Sequence, residues 1–185
     1  MVMITVAGGD SFVWGSELAD SPHGGTNGYS KKTFAALLSG EKYICAAYPG
    51  IGNCEIVDRV IHEMKYITCN RVLISWTWST RDNKDNSDDE IILMQSYLNE
   101  RSIPYLFTCA DNCIVTKNPD IDWSKWFLFP PIPYDPNNKP KGFYQWAVEN
   151  KYPLAPRDKH PLEKAHQDAY LLMKGRFDEL VKTNV

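Results

Sequence analysis

Three side chains that lie far apart in the chain have the types needed for nucleophilic catalysis. Ser11 follows a short apolar segment near the N-terminus, and Asp158 and His160 lie near the C-terminus with one residue between them. A serine hydroxyl becomes a nucleophile when a base is within hydrogen-bond reach, and a histidine base needs an acceptor on its other ring nitrogen. An Asp two residues before a His can accept from Nδ1–H while Nε2 faces the serine. We therefore predict a triad of Ser11, His160 and Asp158.

The strands that would position these residues are predicted by short apolar runs bounded by turn residues. Such runs are typical of strands buried on both faces, as in a parallel sheet. Four of them occur, at Met3–Ala7, Tyr43–Ala47, Arg71–Trp76 and Pro104–Cys109.

Helical patterns separate and follow these strands. Ser30 and Gly40 would begin and end the first helix, Asn53 opens the second, the third begins near Ser87, and the last covers Pro161–Val181. Alternating strands and helices predict a flavodoxin-like α/β fold, a three-layer α/β/α sandwich around a parallel sheet.

The residues that directly follow each predicted strand are the candidates for a site. In a parallel sheet the loops that leave the carboxyl ends of the strands converge at one edge. These loops are Gly8–Ser11, Pro49–Asn53, Thr77–Arg81 and Asp111-Asn112. Between residues 111 and 140 no period is sustained, which predicts a long irregular segment of the kind that often serves a site.

Composition restricts the class of protein. The chain has 185 residues, of which 43% are hydrophobic and 23% charged, as expected for one soluble globular domain over 1–185. The net charge is −3 and the basic residues are scattered, so nucleic acid is not an expected partner. The apolar runs are too short to span a bilayer, so no membrane association is expected. No oligomeric state is predicted.

The cysteines and the N-terminus favour a cytoplasmic protein without a metal. There are five cysteines, an odd number, and none forms a Cys-x-x-Cys pair, so a zinc site is not predicted. Met1–Ala7 leads directly into folded sequence without the pattern of a signal peptide. The glycines near the first strand do not form Gly-x-Gly-x-x-Gly, so a dinucleotide cofactor is not expected either.

Several of these motifs together resemble a known family. Gly9-Asp10-Ser11, the glycine-containing loop after the second strand and Asp158-x-His160-Pro161 occur in the order found in the SGNH/GDSL hydrolase superfamily, and the resemblance covers the whole chain. Within it, the strings GDSFVWG, YPGIGN, SWTWSTR and HPLEKAH are similar to SGNH-like proteins of tailed bacteriophages. That similarity implies a location in the host cytoplasm.

The resemblance implies a role for each motif residue. Ser11 would be the nucleophile, His160 the general base and Asp158 its partner. The backbone N–H groups of Ser11 and Gly50 would form an oxyanion hole. The implied activity is hydrolysis of a small-molecule or carbohydrate ester, such as an O-acetyl group, through an acyl-Ser11 intermediate without a cofactor.

The third motif departs from the family pattern. The family usually has Gly-x-Asn-Asp there, with the Asn side chain as an oxyanion donor, whereas this chain has Ser75-Trp76-Thr77-Trp78. Asn53 is the first choice for a substitute donor and Arg81 the second, unless Arg81 binds an anionic group of the substrate. The loop residues Trp76, Thr77 and Trp78, with Arg81, are predicted to contact substrate.

The missing Asn leaves two other functions open. The chain could be an SGNH-fold binding or virion-associated protein with weak or no activity, or an acyltransferase. Among the other histidines, His166 on the last helix is predicted to pack or hydrogen-bond, and His23 and His62 have no Asp partner of the kind that His160 has.

Overall fold

The computed structural model describes residues 3–21, 28–40, 42–111, 118–130 and 141–182. Its centre is a sheet of four parallel strands in the order β2-β1-β3-β4. The strands are β1 (Ile4–Gly8), β2 (Lys42–Cys45), β3 (Arg71–Trp76) and β4 (Tyr105–Cys109). The predicted α/β fold with a parallel sheet is confirmed.

Helices cover both faces of this sheet. They are α1 (Ser11–Trp14), α2 (Phe34–Ser39), α3 (Asn53–Tyr66), α4 (Asp88–Glu100), α5 (Phe143–Glu149) and α6 (Glu163–Lys182). Short 3₁₀ turns lie at Ser79–Asp82 and Trp123–Lys125. No helix in the described parts of the chain is long and apolar enough to cross a membrane.

The core has two halves, one on each face of the sheet. Leu73 of β3 packs with residues of α1, α2, α5 and α6, whereas its neighbours Val72 and Ile74 pack with residues of α3 and α4. Successive side chains of a strand point to opposite faces, so Trp76 falls on the α3/α4 face with Val72 and Ile74. The alternation in β3 thus divides its side chains between the two halves of the core.

The first predicted helix begins later than expected. Thr33, not Ser30, is its N-cap, and the Thr33 hydroxyl accepts from Ala36 N at 3.1 Å. The Ser30 hydroxyl instead donates to Asp20 Oδ1 at 2.5 Å and accepts from Lys32 N at 2.9 Å, which forms a turn before the helix.

The other helix starts agree closely with the sequence patterns. α3 begins at Asn53 as predicted, α4 begins directly after Ser87, and α6 begins at Glu163 rather than at Pro161. α5 was not predicted. His23, Asn112, and residues 113–117 and 131–140 of the predicted irregular segment lie outside the described residues.

Candidate active site

Ser11 lies at the turn between β1 and α1. The Asp10 carboxylate caps α1 by accepting from Phe12 N at 3.0 Å, which makes Ser11 the first helical residue. Gly9 has a φ of 157°, and a Cβ on it would lie 2.5 Å from a methyl carbon of Val13. Only glycine therefore allows this close turn, and the turn places the Ser11 hydroxyl at the carboxyl edge of the sheet.

His160 contacts the Ser11 hydroxyl directly. The His160 Nε2 atom lies 2.9 Å from Ser11 Oγ. The imidazole packs edge-on against the Phe12 ring at 5.2 Å, and the His160 carbonyl accepts from Ala155 N at 2.8 Å. The structure thus brings together the two residues predicted as nucleophile and base.

Glu17, not Asp158, is the partner of the His160 ring. Glu17 Oε2 lies 2.7 Å from His160 Nδ1, and both side chains are largely buried. Asp158 donates its backbone N–H to the same Glu17 oxygen at 3.2 Å, while its own side chain is 55% exposed and lies 3.8 Å from Arg157 Nε. The structure thus places Glu17, and not the predicted Asp158, in hydrogen-bond contact with His160 Nδ1, while Asp158 contacts Glu17 through its backbone N–H.

The same residues form the one group in the described parts of the chain that offers several metal-ligand atoms. Ligand atoms of Glu17, Asp158 and His160 all lie within 4.8 Å of one another. The hydrogen bond between His160 Nδ1 and Glu17 Oε2 already uses two of these atoms. The arrangement is thus that of a hydrogen-bonded imidazole–carboxylate pair.

The two residues whose backbone N–H groups are predicted as oxyanion donors line the same cavity. Gly50 lies in the turn after β2 with a φ of 82°, and both Gly50 and Ser11 line the cavity. Neither N–H group has an acceptor among the residues that the structure describes. Both N–H groups therefore remain candidate oxyanion donors.

The Asn53 amide, the first choice for a substitute oxyanion donor, is hydrogen-bonded inside the protein. It is fully buried, and its amide nitrogen donates to the Thr77 carbonyl at 2.8 Å and to Ser87 Oγ at 2.6 Å. Its amide oxygen accepts from Thr77 N at 2.8 Å. Because both amide hydrogens are used within the protein, the structure does not present the Asn53 amide to the cavity, and Asn53 instead fixes the loop after β3.

Two of the four residues predicted to contact substrate are also buried away from the cavity. Trp76 packs against Phe107 with ring centroids 5.3 Å apart, and Thr77 donates its hydroxyl to Asp10 Oδ2 at 2.7 Å. Both are fully buried and neither lines the cavity, so the structure does not place them where the sequence predicted a contact with substrate. Trp78 and Arg81 line the cavity.

The cavity has a volume of about 710 Å³ and contains the Ser11–His160–Glu17 group in its wall. Aromatic side chains form a further part of the wall, namely Phe12, Trp78 and Tyr144. Sequence reasoning missed Tyr144 and Glu17. The one sequence signal for Glu17 is that it is an acidic residue shortly after Ser11, two positions beyond Gly15, the glycine that ends α1.

His166 lies behind the site and is buried. Its Nδ1 accepts from Phe34 N at 3.3 Å, and its ring packs against Phe143 at 4.7 Å. Burial, and secondly the proximity of His160, lowers the pKa of His166 to about 3, so this histidine is neutral near pH 7. The predicted packing role of His166 is confirmed.

No protein-family model matches the sequence, and no curated protein matches it significantly. Solved structures do match. A proposed lipolytic protein of the G-D-S-L family from Desulfitobacterium hafniense DCB-2 has a TM-score of 0.59 at 12% identity, with 95% of this chain and 99% of that chain covered. The psychrotrophic esterase EstA from Pseudoalteromonas sp., in a structure inhibited by monoethylphosphonate, has a TM-score of 0.59 at 13% identity over 97% and 98% of the two chains.

A third similar structure is a two-domain esterase, CEX, active on acetylated mannans. Its TM-score is 0.53 at 13% identity, and the match covers 98% of this chain and 50% of that longer chain. At these identities the similarity concerns the fold. Over nearly its whole length, the chain has the α/β fold of GDSL-type lipolytic enzymes and esterases.

Proposed function

We propose that the protein is a serine hydrolase that cleaves an ester through an acyl-Ser11 intermediate, with Ser11, His160 and Glu17 as its triad. The observation that carries the proposal is a continuous pair of contacts, 2.9 Å from Ser11 Oγ to His160 Nε2 and 2.7 Å from His160 Nδ1 to Glu17 Oε2. The fold that the chain shares with GDSL-type esterases supports the same reaction class.

In the first half-reaction the Ser11 hydroxyl attacks the ester carbonyl carbon. His160 Nε2 takes the hydroxyl proton as the Oγ–C bond forms, and the Glu17 carboxylate stabilises the resulting imidazolium. The N–H groups of Ser11 and Gly50 donate to the carbonyl oxygen as it becomes negative. Collapse of this intermediate breaks the bond to the leaving alcohol, which takes the proton from Nε2.

In the second half-reaction water replaces the alcohol. His160 removes a proton from the water as its oxygen attacks the acyl carbon, and the proton then returns to Ser11 Oγ as the ester bond breaks. The carboxylic acid leaves, and the triad has its starting protonation state again. No step needs a cofactor.

The walls of the cavity favour a substrate with a ring. Phe12 lies 6.2 Å from Trp78 and 6.1 Å from Tyr144, measured between ring centroids. Aromatic surfaces of this kind hold sugar faces and other flat apolar groups. Since the similar esterase CEX acts on acetylated mannans, an O-acetylated carbohydrate is the first substrate class to test.

Labelling with a fluorophosphonate tests the proposal, because this probe forms a covalent bond to an activated serine. We expect rapid labelling of the wild-type protein and none of Ser11→Ala. Ser16→Ala is the matched control, since Ser16 is a second buried serine that lines the cavity and has no hydrogen bond to a base among the described residues. Ser16→Ala should be labelled like wild type.

Two other results would redirect the assignment. A wild-type protein that is folded but not labelled contradicts the proposal and favours a binding protein. Labelling of Ser11 without ester hydrolysis in water favours acyl transfer to another acceptor.

A further inference from the structure

We propose that Arg81 supplies the side-chain part of the oxyanion hole, in place of the Asn that the third motif lacks. This inference rests on the proposed hydrolase function and adds a catalytic residue to it. The Asn53 amide is not available for this role, because Thr77 and Ser87 use both of its hydrogens.

The position of Arg81 is fixed from both sides of the predicted oxyanion hole. Its Nη1 atom donates to Asp10 Oδ2 at 3.1 Å and to the Ile51 carbonyl at 3.1 Å. Asp10 directly precedes Ser11 in the chain, and Ile51 directly follows Gly50. The guanidinium is therefore held between the two backbone segments whose N–H groups are the predicted oxyanion donors.

The anchor on the Asp10 side is rigid. The Asp10 side chain is fully buried, and it also accepts from Phe12 N at 3.0 Å and from the Thr77 hydroxyl at 2.7 Å. On its other side the Arg81 guanidinium lies over the Trp78 ring, 4.7 Å from the ring centroid. These contacts restrict the side chain to one place at the cavity wall.

Part of the guanidinium remains available to a ligand. The Arg81 side chain is 27% exposed and lines the same cavity as Ser11 and Gly50. A guanidinium carries five N–H groups, and the two contacts described above use only Nη1. Among the described residues, the N–H groups on Nε and Nη2 have no acceptor.

A cation at this place stabilises the transition state more than the bound ester. The ester carbonyl oxygen is neutral, and it gains a negative charge only when Ser11 Oγ bonds to the carbonyl carbon. A preorganised donor near that oxygen therefore lowers the barrier and raises kcat, with little effect on the affinity for a neutral substrate. Asp10 reduces the net charge of the pair but leaves the N–H donors of Arg81 in place.

Arg81→Ala and a matched arginine variant test this role. Arg59 is the control, because it also donates to a backbone carbonyl, Ala46 O at 2.8 Å, and lies over an aromatic ring, Tyr48 at 5.1 Å, but does not line this cavity. The substrates are p-nitrophenyl acetate and the singly anionic p-nitrophenyl succinate. We expect Arg81→Ala to lower kcat about 10²-fold on both esters with little change in KM, and Arg59→Ala to leave both constants unchanged.

A second pair of variants covers the case in which Arg81→Ala does not fold, since it leaves the buried Asp10 carboxylate without its cation. Asp10→Asn keeps a helix-capping side chain, so the double variant Asp10→Asn/Arg81→Ala is compared with Asp10→Asn alone. The loss of kcat on removal of Arg81 should again be about 10²-fold. Methylboronic acid forms an anionic tetrahedral adduct with serine. Its affinity should fall by a similar factor when Arg81 is removed.

Two results would overturn the inference. Unchanged kcat and boronate affinity on removal of Arg81 would exclude a role in the oxyanion hole, and a rise in KM confined to the succinate ester would show a clamp for anionic substrates instead. Both conclusions hold only if a fluorophosphonate labels Ser11 of the wild-type protein. If that labelling fails, the proposed function fails and this inference fails with it.

Discussion

His160 has two carboxylates near its ring, and only that of Glu17 is hydrogen-bonded to it. Glu17 has a backbone φ of 67°, a conformation that costs a non-glycine residue on the order of 1 kcal/mol. The strained backbone directs the Glu17 side chain to His160 Nδ1 and to the Asp158 N–H group. The residue that hydrogen-bonds to the His160 ring is therefore set by the turn after α1 and not by the Asp-x-His spacing.

At the residue scale, Glu17→Gln and Asp158→Asn should have unequal effects. Glu17→Gln removes the charge that stabilises the imidazolium, so we expect a fall in kcat of about 10³-fold or more. Asp158→Asn keeps the backbone N–H that Glu17 accepts, so its kcat should stay within about tenfold of wild type. Steady-state hydrolysis of p-nitrophenyl acetate measures both. A larger loss in Asp158→Asn than in Glu17→Gln would restore Asp158 to the triad.

At the scale of elements, Asn53 connects the start of α3 to the loop after β3 and to the residue before α4. Its three hydrogen bonds, to Thr77 N, Thr77 O and Ser87 Oγ, are all buried. Asn53→Ala leaves these groups without partners, so we expect the free energy of unfolding to fall by about 2–4 kcal/mol. Thermal and urea unfolding followed by circular dichroism measure this loss.

A comparison of stability and activity separates this structural role from catalysis. Below its unfolding transition, Asn53→Ala should keep most of the wild-type kcat. A variant with wild-type stability and a kcat lowered about 10²-fold would instead show that the Asn53 amide serves the oxyanion.

The free energy of unfolding should depend on pH through His166, which lies on α6 and contacts α2. Its pKa is about 3 in the folded protein and 6.5 in its reference state, so the unfolded chain binds the proton more tightly. The neutral imidazole thus contributes its full stabilisation of the folded protein above pH 6.5. This contribution is lost as the pH falls toward 3. Between pH 7 and pH 5 we expect a loss of about 2 kcal/mol, measured by urea unfolding at each pH.

Two histidine variants isolate this effect. Between pH 7 and pH 5, His166→Gln should lose less free energy of unfolding than the wild type, whatever its stability at pH 7. His62→Gln removes an exposed imidazole of α3 and should leave that fall unchanged. An equally steep fall in His166→Gln would assign the pH dependence to other groups.

At the scale of the whole molecule, the sequence is sufficient to predict the sheet and the contact between Ser11 and His160. The apolar run Arg71–Trp76 coincides with β3, and the ends of the other strands lie within two residues of the predicted ones. Buried parallel strands have nearly uninterrupted apolar sequences, so their positions can be predicted from local composition. The loop rule for parallel sheets then placed Ser11 at the carboxyl edge.

The rest of the site depends on partners that are distant in the sequence. Glu17 lies 143 residues from His160, and no local pattern indicates that the two would meet. The Asn53 amide is used by groups 24 and 34 residues away, which composition cannot show. The position of Trp76 beside the loop after β3 predicts that it contacts substrate. The pleat of β3 instead turns its side chain into the half of the core that contains α3 and α4.

The most direct test of the central claim is to trap the acyl-enzyme. The wild-type protein is mixed with p-nitrophenyl acetate, quenched in acid during the first turnover, digested and measured by mass spectrometry. We predict one acetyl group on the peptide that contains Ser11, with no acetylated peptide in Ser11→Ala and a slow, incomplete reaction in His160→Ala. Hydrolysis by a wild-type protein that carries no acetyl group on Ser11, or carries it on another residue, would contradict the account.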